Sequence, residues 1–402
     1  MTTIDAAAAL RAANELTARW AEALPPGHFA VSGVGVWPLL ALLQSGARGK
    51  ALAELTTATG IPADTALDFG LGLISILDAL PGGGSALGLW VRDGVPLQLR
   101  WASRLPGGTV ERLPTDLGEA QAALDSWASE HTGGRIDHFP TAVDRRSDLI
   151  LATALATALD WSTPFDEREI TFDGRKIVGL RRDLGELEAF AIVEAGGESI
   201  GRFISRGEGE VDVHLLTAPE SQPPAVVLRT GIAALTRHVD VRAGDDLRVG
   251  DSAGQLVVEA REGEEAGGTV RLPAFEMLCS HDLLAIADVF GLRSAMRTDA
   301  DHFPEIAPQL VITQAAQALM VRFHSAGFAA AAVTSIGGIP LSAVGWRGPV
   351  PWVRFELDRP FGFLAVHRPT RLVLFAGWVA TPAEPPYPAP ERAGVTAVIR
   401  RG

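Results

Sequence analysis

Side chains able to do covalent chemistry are sparse in this chain of 402 residues. Cys279 is the single cysteine, next to Met277 and Leu278, so no internal disulfide can form. Its apolar setting suits a small buried hydrophobe better than a nucleophile. The nine histidines include no His-Glu-x-x-His pair, and neither a phosphate loop ending in Gly-Lys-Ser/Thr nor a paired-cysteine metal site is present. Asp-His-Phe-Pro occurs twice, at 137–140 and 301–304, and chance turns account for the repeat. No cofactor and no metal are implied. An enzyme using scattered residues finds no support here.

The unusual segment is one that lacks reactive groups. From Ser325 to Trp346 the sequence SAGFAAAAVTSIGGIPLSAVGW carries no ionisable side chain. Its composition alone would allow an alanine-rich buried helix. Val333 and Thr334 are β-branched, however, and Gly337, Gly338 and Pro340 break helices. The flanks, 310–323 and 353–357, alternate as strands do. A long uncharged connection between strands invites edge pairing. Freedom from charge makes sense if the segment must sometimes enter a sheet.

Apolar periodicity predicts helices over 10–24, 34–45, 50–58, 65–80 and 118–131, with strands at 86–91 and 149–159. Alternation and turns dominate 165–275, helix returns at 281–296, and strands fill 309–381. Helices first and sheets later, with no βαβ rhythm, predict an α+β fold. A single domain over 5–382 is expected, followed by a proline-rich tail at 383–402. The formal charge of −13 and the lack of any basic run longer than two residues exclude a nucleic-acid or anionic-membrane partner. The N-terminus has Asp5 and Glu15 and no basic start before an apolar run, so a cytoplasmic chain is expected. Arginine displaces lysine everywhere except Lys50 and Lys176, as in a GC-rich genome.

Several stretches, in order along the chain, resemble the serpin family of serine protease inhibitors, and specifically a bacterial-type intracellular member. They are LALLQSGARG at 40–49, Asp125-Ser126-Trp127 with Thr132 to Ile136, and Trp161 with Pro164-Phe165. Leu272-Pro273-Ala274-Phe275, Ala300-Asp301-His302-Phe303, Arg359 to Phe363 and Leu374 to Val379 continue the series. The uncharged segment falls into place within it. Gly327, Phe328, Ala329, Ala330, Ala331, Ala332, Val333 and Thr334 resemble the family's hinge, within a reactive-centre loop of about 325–350. Family spacing then puts the scissile bond between Leu341 and Ser342, preceded by Ile339 and Pro340.

The resemblance implies helices around three β-sheets, an exposed reactive-centre loop, a monomer and a serine protease as partner. It also implies a suicide mechanism. A protease attacks Leu341, and the freed hinge inserts into the central sheet as a new strand, carrying the acyl-enzyme with it. On insertion Phe328, Ala330, Ala332 and Thr334 face the core, by strand alternation. Leucine suits chymotrypsin-, elastase- or subtilisin-like enzymes with an apolar primary pocket. Ser32, Thr153, Trp161 and Gln317 occupy the family's sheet-opening region. There are departures: Ser325 stands where glutamate is usual, Gly33 and Gly35 replace a proline and a serine, and Thr153 and Gln317 replace asparagine and histidine. Phe328 is bulkier than the family's usual residue, and its size is expected to slow the first step of insertion. That feature keeps open an alternative, a non-inhibitory serpin-fold binding or structural protein whose loop is cleaved as a substrate.

Overall fold

The computed structural model describes residues 3–80, 84–132, 134, 137–139, 142–144, 149–156, 159–236, 239–263, 265–328 and 348–382. The tail beyond 382 lies outside them. So does 329–347, which holds Ala329 to Thr334, Ile339, Pro340, Leu341 and Ser342.

The expected helices are present as α1 (Thr3–Ala23), α2 (Gly33–Gln44), α3 (Gly49–Thr59), α4 (Ala63–Asp78) and α5 (Leu117–Thr132). In α1 the stripe Ala13, Leu16, Trp20 is wholly buried, which is the reason an otherwise polar sequence holds its place. Every residue of α2 is buried. With hydrophobic residues all round, it is a core helix crossed by its neighbours. No single helix among the described residues is long and apolar enough to cross a membrane.

Three sheets follow. The central sheet contains β1 (Gly84–Arg92), β2 (Val110–Leu113), β3 (Leu149–Ala156), β4 (Leu159–Asp160), β5 (Phe275–Asp282), β6 (Gln314–Phe323) and β7 (Gly327–Phe328). Its order begins β2, β1, β3, β6, with β5 on the far side of β6 and β7 lying between β6 and β4. A second, seven-stranded sheet pairs Val211–Thr217 with Glu198–Arg206 and Phe361–His367, and Phe361–His367 with Leu372–Val379. Val211–Thr217 and Phe361–His367 are buried at every residue. A third sheet of six strands includes Arg175–Leu184, Gly267–Leu272 and Gly348–Glu356.

The α+β architecture is therefore as expected, but two local readings change. The helix expected over 281–296 is broken up. β5 runs to Asp282, and only short turns follow at Leu284–Ile286, Ala287–Phe290 and Ser294–Met296. Gly291 ends the helical turn Ala287–Phe290: it has a left-handed φ of +67°, and a Cβ there would lie 2.4 Å from the Glu54 carbonyl oxygen of α3. In the region expected to be all strand, Pro224–Ala233 forms a further helix, α6, begun by proline at its first turn.

Candidate functional site

The centre of the molecule is a parallel seam in an otherwise largely antiparallel sheet. β3 and β6 pair in parallel from Gln314 opposite Ile150 to Leu319 opposite Leu155. Above Leu319 this ladder ends, and the chain after Phe323 turns back on itself. His324 N–H donates to the Gly327 carbonyl at 3.0 Å, and β7 runs down between its neighbours. Phe328 pairs antiparallel with Phe323 of β6 on one side and with Leu159 of β4 on the other. Gly327 and Phe328 thus form a short strand between β6 and β4, beyond the end of the β3–β6 ladder.

Aromatic packing makes room for that strand. Trp161 is buried, its ring 4.6 Å from Phe323, 6.1 Å from Phe165 and 6.5 Å from Phe328. Its indole N–H donates to the His324 carbonyl at 2.9 Å, and its backbone N–H to the Ala326 carbonyl at 3.0 Å. Phe165 N–H donates to the Ser325 carbonyl at 2.8 Å. The Ser325 hydroxyl, in the position where the family carries an acid, bonds instead to the carboxylate of Glu167 at 3.4 Å.

Phe328 is 1% exposed and packs against Trp161 and, 6.5 Å away, Phe375. In the intact chain its ring is accommodated by these aromatic neighbours while the β3–β6 ladder below is closed.

Below the seat, Gln317 of β6 spans the seam. Its amide nitrogen donates to the Ser32 carbonyl at 3.0 Å and to the Thr153 hydroxyl of β3 at 3.3 Å, and its amide oxygen accepts from Ser32 N–H at 3.0 Å. All three residues are buried, Gln317 and Ser32 at 1% exposure. Ser32 is also the N-cap of α2, its hydroxyl accepting from Gly35 N–H at 3.2 Å. The two glycines that depart from the family pattern have a steric reason. A Cβ on Gly35 would lie 2.8 Å from the Gln317 amide nitrogen, and one on Gly33 would lie 2.3 Å from the Thr17 hydroxyl. Glutamine at 317, threonine at 153 and glycine at 35 form one mutually adjusted set, while glycine at 33 answers to α1.

Conventional catalytic groupings are not assembled among the described residues. Cys279 is half-buried on β5, and burial pushes its thiol pKa up, away from reactivity. His138 is exposed beside Asp125, whereas His302 is buried beside Asp299, so the repeated tetrapeptide builds no common site. Gly250-Asp251-Ser252-Ala253-Gly254 fits the Gly-x-Ser-x-Gly pattern of hydrolase elbows, a match easily overlooked. Here Ser252 and Ala253 form a two-residue strand antiparallel to Leu256–Gly263, Ser252 facing Val257, and among the described residues no hydrogen bond links Ser252 to a histidine. An elbow needs a strand-to-helix turn and a base.

Comparison with known proteins agrees with this architecture. The serpin (serine protease inhibitor) family profile matches residues 7–173 and 255–382. A protein of Oryza sativa subsp. japonica designated serpin-Z6C is 24% identical, covering 94% of this chain and 96% of its own. The native state of tengpin, a thermophilic serpin, superposes with a TM-score of 0.71 at 16% identity, covering 95% of both chains. Human thyroxine-binding globulin in complex with its hormone superposes with a TM-score of 0.70 at 16% identity, covering 95% of this chain and 100% of that one. The fold is the serpin fold, and the chain belongs to the serpin family.

Proposed function

We propose that this protein is a suicide inhibitor of serine proteases with an apolar primary pocket, cleaved after Leu341 and acting by insertion of the severed loop between β3 and β6. Protease inhibition is the general activity associated with the family. The finer reading is supported above all by one observation, the short antiparallel strand Gly327–Phe328 already wedged into the top of a parallel seam.

The physical argument concerns the ladder. A strand antiparallel to both neighbours would replace one parallel ladder with two antiparallel ones, which are somewhat more stable per residue. About a dozen new hydrogen bonds at about 1 kcal/mol each would release on the order of 10 kcal/mol, comparable to the stability of a whole domain. The uncleaved protein then persists because the barrier is high. In this reading Gln317, Thr153 and Ser32 supply part of the barrier, since separating β3 from β6 breaks a buried hydrogen-bond network. Severing the loop frees the chain beyond Phe328 to follow it downward. Ala330 and Ala332 are small and uncharged, so they enter the core at low cost, and the protease is displaced before its acyl bond hydrolyses. The expected cytoplasmic, monomeric working form belongs to the same proposal.

Incubation with chymotrypsin or subtilisin should yield an SDS-stable covalent complex and a free C-terminal peptide beginning at Ser342. Clean cleavage with full residual protease activity would count against inhibition. The second reading, a serpin-fold binding protein, would then stand. Thyroxine-binding globulin, a structural neighbour, is named for the hormone it binds, so the fold does not by itself require inhibition.

A further inference from the structure

Close to the hinge, one ionised side chain is buried without a counter-ion. Arg182, on the third-sheet strand Arg175–Leu184, is 8% exposed and makes no ion pair among the described residues. Its guanidinium carbon lies 3.6 Å from the centroid of the Phe165 ring and 5.6 Å from that of Phe203. Nη2 donates to the Ser205 hydroxyl at 2.7 Å, and Nε is buried with no hydrogen-bond partner among the described residues. Phe203 and Ser205 lie on the second-sheet strand Glu198–Arg206 and are wholly buried. Phe165 follows β4 of the central sheet, so a single side chain ties the three sheets together.

Stability does not account for this arginine. Burial pushes its pKa down to about 9, so the cation persists at neutral pH at a cost in lost hydration. Stacking on an aromatic face returns part of that cost. A well-packed apolar side chain of similar volume would nonetheless be neutral or stabilising in the same place. What the guanidinium does supply is a fixed plane, aimed by the bond to Ser205 and laid over Phe165. The Phe165 ring in turn lies 5.6 Å from Phe323 and 6.1 Å from Trp161, and its backbone N–H holds the Ser325 carbonyl. Ser325 belongs to the turn that directs Gly327 and Phe328 into the sheet.

We propose that Arg182 is a positioning residue for loop insertion, fixing the Phe165 ring and through it the turn at Ser325 from which the inserting strand departs. The proposal rests on the inhibitory reading above. Insertion competes with hydrolysis of the acyl-enzyme, so a loosened turn delays the first step and releases more cleaved loop as ordinary product. A lysine ammonium would keep the charge but offer no plane to stack and no fork to aim.

The experiment incubates chymotrypsin or subtilisin with the wild type, Arg182→Met and Arg182→Lys, and measures the ratio of cleaved, unbound protein to covalent complex. The rate of loop cleavage and the melting temperature of each intact protein are measured alongside. In Arg182→Met the ratio should rise about tenfold, the effect of losing one desolvated cation–ring contact. Its loop should be cleaved at the wild-type rate, and the intact variant should melt at or above the wild-type temperature. Arg182→Lys should recover part of the lost trapping. In a Phe165→Leu background the methionine substitution should add nothing further, because the two residues act as one unit. An arginine with a merely structural role would give the opposite pattern, a lower melting temperature with an unchanged ratio, and that result overturns the proposal. So does an unchanged ratio in both variants; should the methionine variant fail to fold, the lysine variant decides by the same ratio. A wild type that traps neither protease contradicts the inhibitory reading and this role with it, whereas a trapping wild type with unaltered variants overturns the role of Arg182 alone.

Discussion

At the top of the seam between β3 and β6, Trp161, Phe323 and Phe375 neighbour the buried side chain of Phe328. Lower down, at Gln317, the same two strands are joined by an amide, a threonine hydroxyl and the cap of α2. Aromatic packing tolerates a new neighbour, because dispersion and burial are non-directional. Directional hydrogen bonds among buried polar groups do not, because each must be broken and left unmet while the strands part. In the proposed mechanism, insertion therefore starts at the apolar end and is held at the polar one.

That contrast can be broken from either end. Replacing Ala330 or Ala332 with arginine should abolish the covalent protease complex while leaving the loop cleavable, since a charge would have to enter the core at a cost of several kcal/mol. Gel analysis after incubation with chymotrypsin reads the outcome, and undiminished complex in both variants would remove insertion from the mechanism. Phe328→Ala empties the aromatic seat and should cost the intact protein about 3–5 kcal/mol, measured by urea unfolding. A loss under about 1 kcal/mol would mean that the seat collapses and contributes little.

Smaller effects sharpen the polar half. Gln317→Ala strands the Ser32 N–H and carbonyl and should destabilise the intact form by about 1–3 kcal/mol. It should also speed loop insertion after cleavage, followed by stopped-flow fluorescence of Trp161. Thr153→Val removes only the 3.3 Å bond to Gln317 and should cost about 0.5–1.5 kcal/mol. Equal effects from the two substitutions would place the latch at the strand pair and not at the helix cap.

Much of this was legible in the chain itself. The helices α1 to α5 follow from apolar periodicity, whereas the uncharged run beyond Phe328 lies outside the described residues. Gln317 and Thr153 were identifiable as partners through family resemblance, and hydrogen-bonding capacity carried over when the residue types changed. The seat of Phe328 was not legible, because it is built from Trp161, Phe323 and Phe375, which only the fold brings together. Nor was the reason for Gly35, which lies in its distance to Gln317, 282 positions further along the chain. Helix α6 was hidden by Val227, Thr230 and Ile232, β-branched residues whose burial outweighs their preference for strand.

The most direct test of the central claim compares the melting temperature of the intact protein with that of the same sample nicked in its reactive loop. About 10 kcal/mol of new sheet, set against the unfolding entropy of a chain this long, corresponds to a rise of roughly 10 °C or more. Such a rise is the result expected if the strand begun at Gly327 and Phe328 runs on down the seam. A nicked protein that melts at or below the temperature of the intact one would contradict it.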